Sequence, residues 1–122
     1  MTQTIPTEAQ EQAALFQWAR MQAGRYPELA LIHAIPNGGS RHPAEAKNLK
    51  AQGVKAGVPD ICLPVPRGGC HGLYIELKRR KGGKLSPEQE QWISELTEQG
   101  YYAAVCKGWE VAAEFIKRYL EE

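Results

Sequence analysis

The chain has 122 residues, enough for one domain over 1–122 with a single core and little room for a separate recognition domain. Its 15 Lys and Arg nearly balance its 14 Asp and Glu, so bulk charge does not announce a nucleic-acid binder, and any affinity for an anionic partner must come from how the charge is distributed. No apolar stretch is long enough for a signal peptide or a membrane span, and Cys62, Cys70 and Cys106 are odd in number and lack zinc-type spacing, which predicts a reduced, cytoplasmic setting with no membrane partner.

Thr7-Glu8-Ala9-Gln10 has the form of a capping box, and Ala14, Leu15, Trp18 and Met21 follow at helical spacing as far as Gly24. Glu8, Glu11 and Gln12 lie near Leu15 on the helical wheel, so one of these polar groups can point from the buried stripe toward a site on the sheet, or simply favour the helix dipole as a solvated first turn. The continuous apolar run Leu29-Ala30-Leu31-Ile32-His33-Ala34-Ile35 predicts a buried strand in which His33 is a structural histidine, ended by Pro36 and a turn at Asn37-Gly38-Gly39-Ser40-Arg41 whose bare amides also suit a phosphate. Pro43 opens a short helix that stops at Gly53.

The next stretch carries the chemistry. Lys55-Ala56-Gly57-Val58-Pro59 leads into Asp60, the only aspartate of the chain, ahead of the apolar run Ile61-Cys62-Leu63-Pro64-Val65. In Leu73-Tyr74-Ile75-Glu76-Leu77-Lys78 the apolar residues alternate with Tyr74, Glu76 and Lys78, the period of a half-buried strand, so Glu76 and Lys78 share a face. The glycine-rich loop 67–72 between the two runs is of the kind that joins antiparallel strands, and pairing them brings Asp60 toward Glu76. Two carboxylates converging beside a lysine make a hard, oxygen-lined site for Mg²⁺ or Mn²⁺, with Lys78 placed to hold water or offset phosphate charge. Cys70-His71 has no matching donor pair elsewhere and reads as loop. Five basic residues, Lys78, Arg79, Arg80, Lys81 and Lys84, fall within seven positions, and with Lys55 they form the expected phosphate-contacting set.

Ser86-Pro87-Glu88-Gln89 opens the next helix with a serine cap, a proline at its first position and a glutamine three on; capping alone accounts for Gln89. Trp92, Ile93 and Leu96 follow until Gly100, Tyr101–Cys106 reads as a strand parallel to the Glu76 strand through a right-handed crossover, and Gly108 leads to a last helix with Trp109, Ala112, Ala113, Ile116 and Leu120 inward. The elements describe a small α/β fold with a mixed sheet of about four strands flanked by helices.

Asp60 followed by Glu76-x-Lys78 on the next strand resembles the signature of the PD-(D/E)xK nucleases. The wider text, Lys55 to Asp60, Ile75-Glu76-Leu77-Lys78, Gly83-Lys84-Leu85-Ser86-Pro87-Glu88-Gln89 and Gly100-Tyr101, is similar in order and spacing to the VRR-NUC family over roughly residues 8 to 120. The resemblance implies a restriction-endonuclease-like core and a metal-dependent DNA endonuclease acting through backbone contacts, of a phage type, selective for branched or Holliday-junction-like DNA and often dimeric. It also implies a glutamate from the first helix in the site, for which register favours Glu11 over Glu8. The catalytic set becomes Asp60, Glu76, Lys78, Glu11 and Gln89, with Asp60, Glu76, Leu77 and Glu11 at the metal. The bland reading of Glu76 and Lys78 is an exposed cross-strand charge pair, and the competing function is an inactive nucleic-acid-binding module of the same fold. Trp18, Trp92, Trp109, Tyr101, Tyr102 and Tyr119 are more large aromatics than so thin a domain readily buries, which adds to the expectation of a homodimer.

Overall fold

The computed structural model describes residues 4–36 and 42–122; the turn expected at Asn37-Gly38-Gly39-Ser40-Arg41 lies outside them. In chain order the elements are helix α1 (Glu8–Gln22), a 3-10 turn (Pro27–Leu31), strand β1 (His33–Ala34), α2 (Pro43–Ala51), β2 (Ile61–Leu63), β3 (Leu73–Lys78), α3 (Pro87–Glu98), β4 (Tyr102–Lys107) and α4 (Trp109–Leu120). The four strands form one mixed α/β sheet in the order β1-β2-β3-β4, with β1–β2 and β2–β3 antiparallel and β3–β4 parallel.

Both expected capping boxes form: Thr7 accepts from the Gln10 amide while Gln10 returns a bond to Thr7, and Ser86 and Gln89 do the same. Each box satisfies two of the amides that a helix start leaves unpaired, and so fixes where α1 and α3 begin. Leu73, Ile75 and Leu77 of β3 enter the core with Leu15 and Ala19 of α1 and Ala112, Ala113 and Ile116 of α4. On the opposite face the start of α3 meets the sheet.

Four sequence expectations change. The apolar run 29–35 is not one strand: Leu29–Leu31 end a 3-10 turn opened by Pro27, and His33 and Ala34 pair as a short exposed edge strand. Proline presets the first turn, and an apolar run carries no periodicity to contradict it. His33 sits outside the core with its Nδ1 3.0 Å from the Leu31 carbonyl. Met21 is 75% exposed, because the buried stripe of α1 runs through Glu11, Leu15 and Ala19. Strand β3 is covered on both faces rather than half-buried, so Glu76 and Lys78 are interior groups. Of the six aromatics held as surplus, only Tyr102 is exposed; Tyr119 is core, its hydroxyl donating to the Val65 carbonyl at 2.6 Å.

Gly57 shows how the site's approach is built. Its φ of 92° lies in the left-handed region, and an added Cβ would stand 2.6 Å from the Glu88 carbonyl carbon. The loop leading to Asp60 therefore rests directly on the first turn of α3, which carries Gln89. Gly57→Ala combines positive-φ strain with a backbone clash and should cost about 2 kcal/mol or more, read from chemical denaturation. A shift within experimental error would show that the loop rearranges freely.

Candidate metal and active site

The register of β2 on β3 pairs Ile61 with Ile75, so one step before β2 the chain carries Asp60 level with Glu76. Asp60 is anchored there: its Oδ2 accepts the Leu77 amide at 2.9 Å. Pro59, itself buried, and Gly57 bring the aspartate into this position. The contact displayed by Leu77 is thus its N–H on Asp60, while its side chain is in the core.

Glu76 is 1% exposed and its Oε2 faces two donors, Gln89 Nε2 at 3.3 Å and Lys78 Nζ at 3.7 Å. Its Oε1 is buried with no hydrogen-bond partner among the described residues. Burial, and then the neighbouring Asp60, push the Glu76 carboxyl up to about 8, with Glu8 adding to the rise and Lys78 opposing it. An interior anion held by one loose ion pair is costly, and a lysine at this distance does not offset the desolvation.

Gln89 caps α3 and also reaches Glu76. Its Oε1 accepts the Ser86 amide at 2.9 Å as part of the capping box, which turns its Nε2 toward Glu76. The helix cap and the site residue are one side chain.

The glutamate that α1 brings to this site is Glu8. Carboxylate oxygens of Glu8, Asp60 and Glu76 all lie within 4.8 Å of one another. Glu11, the first choice from register, is turned into the protein, where its carboxylate takes Arg80 Nε at 2.7 Å and the Trp109 amide at 3.2 Å. The Arg80 hydrogen bond outweighs the burial of Glu11 and holds its carboxyl below the usual range. The wheel placed both glutamates near the buried stripe; it carried no information on which of them would find an arginine. That arginine comes from a residue 69 positions away.

The same contact changes the reading of the basic run. Arg80 is engaged by Glu11 and Glu110, and Arg79 donates to the carbonyls of Pro6 at 3.3 Å and Ile5 at 3.4 Å. Lys55, Lys81 and Lys84 are exposed. Lys50, which the sequence reading passed over as a helix residue, lines a surface cleft with Lys55 and Val54.

Three converging carboxylates, one of them the buried Glu76, whose Oε1 has no hydrogen-bond partner among the described residues, offer hard oxygen donors that suit a divalent cation. One oxygen from each of the three lies within 4.8 Å of the others, near enough for all three to reach one small cation. Bound there, the cation would supply Lewis acidity and an activated water. Glu8, Asp60 and Glu76 would hold it, Gln89 would orient Glu76, and Lys78 would put a positive charge at the same edge.

The VRR-NUC domain model matches residues 3–110 of the chain. A solved structure entitled "VRR_NUC domain protein" is 34% identical and superposes with a TM-score of 0.83 over 98% of this chain and 92% of that one. No curated protein matches. With the sheet order, the paired strands that carry Asp60 and Glu76-x-Lys78, and a helix N-terminus that delivers Glu8, these matches agree on one assignment: the chain belongs to the VRR-NUC family of nuclease-type domains.

Proposed function

We propose that this protein is a Mg²⁺- or Mn²⁺-dependent endonuclease that hydrolyses phosphodiester bonds in branched, Holliday-junction-like DNA. The observation that carries the reading is the buried Glu76 carboxylate, whose Oε1 has no hydrogen-bond partner among the described residues, converging with the carboxylates of Asp60 and Glu8. An inactive binding module has no use for converging carboxylates next to a phosphate, which they repel, and a surface charge pair is excluded as the explanation by the 1% exposure of Glu76. In the proposed reaction Glu8, Asp60 and Glu76 hold the metal, and Lys78 orients the attacking water and stabilises the charge that develops on the phosphate. Gln89 keeps Glu76 in its productive rotamer, and three free thiols with no membrane-length apolar helix among the described residues accord with a cytoplasmic setting.

The test is incubation of the protein and either metal with duplex, flap, nicked and four-way-junction DNA. Preferential cutting of the junction is expected. Binding without cutting on every substrate and metal would instead favour the inactive module.

Phosphate affinity should come from Lys55, Lys81 and Lys84, which are exposed. Changing Lys81 and Lys84 to Gln should flatten the log–log salt dependence of duplex binding by roughly 0.9 per lost contact. An unchanged slope would place the DNA elsewhere.

We further propose a homodimer, since cutting paired strands of a branched substrate needs two sites at a fixed separation. Its surface would include the outer strand β4, where Tyr102 and Val105 are exposed. Light scattering at micromolar concentration without DNA should give twice the chain mass, and a monomer mass would limit any pairing to the substrate-bound state.

A further inference from the structure

We propose that Arg79 and Arg80 are positioning residues for the metal site, stapling the first turn of α1 so that Glu8 stays level with Asp60 and Glu76. The proposal rests on the reading of Glu8 as a metal ligand.

Glu8 has the least support of the three carboxylates. It is exposed, and it is the first residue of α1; the Thr7–Gln10 capping box satisfies two amides of this turn, but the remaining opening amides have no intrahelical partner. Asp60 has the Leu77 amide and Glu76 has Gln89, but Glu8 depends on the turn that carries it. That turn is held from both sides. Ahead of Glu8, Arg79 donates to the carbonyls of Ile5 and Pro6. One turn behind, Glu11 lies three residues on and so on the same side of the helix; its side chain is fully buried and bonded to Arg80.

The far end of the staple is the catalytic strand. Arg79 and Arg80 directly follow Lys78, and the Lys78 carbonyl accepts the Gly108 amide at 3.0 Å, which sets the start of α4. The next amide, of Trp109, closes on Glu11 Oε1, and Glu110 takes the outer side of the Arg80 guanidinium. Gly108 has a φ of 89°, and a Cβ there would stand 3.3 Å from Arg80 Cγ, so this corner leaves little space for the arginine to move. Helix α1, strand β3 and helix α4 are thereby tied at one point, a turn away from Glu8. A planar guanidinium suits this use because it can hold two carboxylates in fixed directions.

The test measures Mn²⁺ in two ways on the full chain: direct calorimetric binding without DNA, and the Mn²⁺ concentration for half-maximal cleavage. DNA binding without divalent metal is measured across salt in parallel. Arg80→Gln and Arg79→Gln should each weaken Mn²⁺ binding by about tenfold or more, the usual effect of losing a group that orients a metal ligand. Cleavage should recover at saturating Mn²⁺, Arg80→Lys should restore part of the affinity, and the salt slope should be unchanged. Arg79→Gln removes only bonds to two exposed carbonyls and should fold, which keeps the test valid if Arg80→Gln does not. Unaltered Mn²⁺ affinity in Arg79→Gln, or a slope reduced by roughly 0.9 for either arginine, would overturn the proposal and make these residues phosphate contacts or simple structural ties. Glu8→Gln separates the two levels of the argument. If it leaves Mn²⁺ affinity intact, the ligand assignment itself fails; if it weakens affinity while both arginine variants do not, only the positioning role fails.

Discussion

Asp60→Asn and Glu76→Gln should each lower metal-dependent cleavage on the order of 10³-fold or more, because a divalent ion contributes several kcal/mol to a phosphoryl-transfer transition state and each tenfold in rate is about 1.4 kcal/mol. The two substitutions keep volume and remove a ligand charge. They should differ in their effect on stability. Asn at position 60 can still accept the Leu77 amide, so the Asp60→Asn fold should change little. Glu76→Gln should make the metal-free protein more stable at alkaline pH. The sign follows from the carboxyl being raised from 4.5 to about 8 by burial and by Asp60. Between those values the folded protein holds a proton that the unfolded chain has released, so stability falls as pH rises through this window and the loss is complete above about 8. An amide does not titrate and escapes that loss, a difference on the order of 2–4 kcal/mol at pH 9. Denaturation of wild type and variant at pH 4 and pH 9 checks it: the gap should be small at the lower pH and large at the higher. Equal stability at both would mean that Glu76 is ionised in the metal-free fold at no cost.

The same proton makes metal affinity pH-dependent. Binding a cation requires Glu76 to be ionised, so Mn²⁺ affinity should climb with pH and level off above about 8, with proton release on binding below that value. Calorimetry in buffers of different ionisation enthalpy reads the proton directly.

Lys78→Met carries the second large expectation. The lysine is 7% exposed, so methionine keeps most of the packing of its stem and removes the charge. A group that orients water and stabilises the phosphate in the transition state should cost roughly 10²–10⁴ in kcat when lost. Metal binding should survive, since an ammonium near the site repels a cation. One opposing effect is present: Lys78 holds the Glu76 carboxyl down, so its loss should move the plateau in metal affinity to higher pH. Comparing kcat at saturating Mn²⁺ with the calorimetric affinity separates the two. An unchanged kcat would reduce Lys78 to the charge partner of Glu76, 3.7 Å away.

The features that follow local rules were legible in the order of residues. Capping boxes at Thr7 and Ser86 gave the starts of α1 and α3, the alternation of Leu73 to Lys78 gave β3, and the loop after Val65 gave the antiparallel turn that brings Asp60 to Glu76. These signals are legible because a helix start or a strand period is set by residues a few positions apart. The family resemblance was legible for the same reason, since its motifs sit on those strands and turns.

Tertiary structure decided what depends on partners distant in the chain. Whether Glu8 or Glu11 joins the Asp60 and Glu76 carboxylates turned on Arg80 and the Trp109 amide, and whether Arg79 and Arg80 face solvent or the N-terminal segment turned on the same packing. The interior position of Glu76 and Lys78 was hidden by their polarity: a strand with alternating polar residues reads as half-solvated, and only the packing of the Gly57 loop and the first turn of α3 covers that face. Helical spacing puts Glu8 and Glu11 on one side of α1; choosing between them takes the charge and the hydrogen-bond donors that the rest of the fold brings to that side.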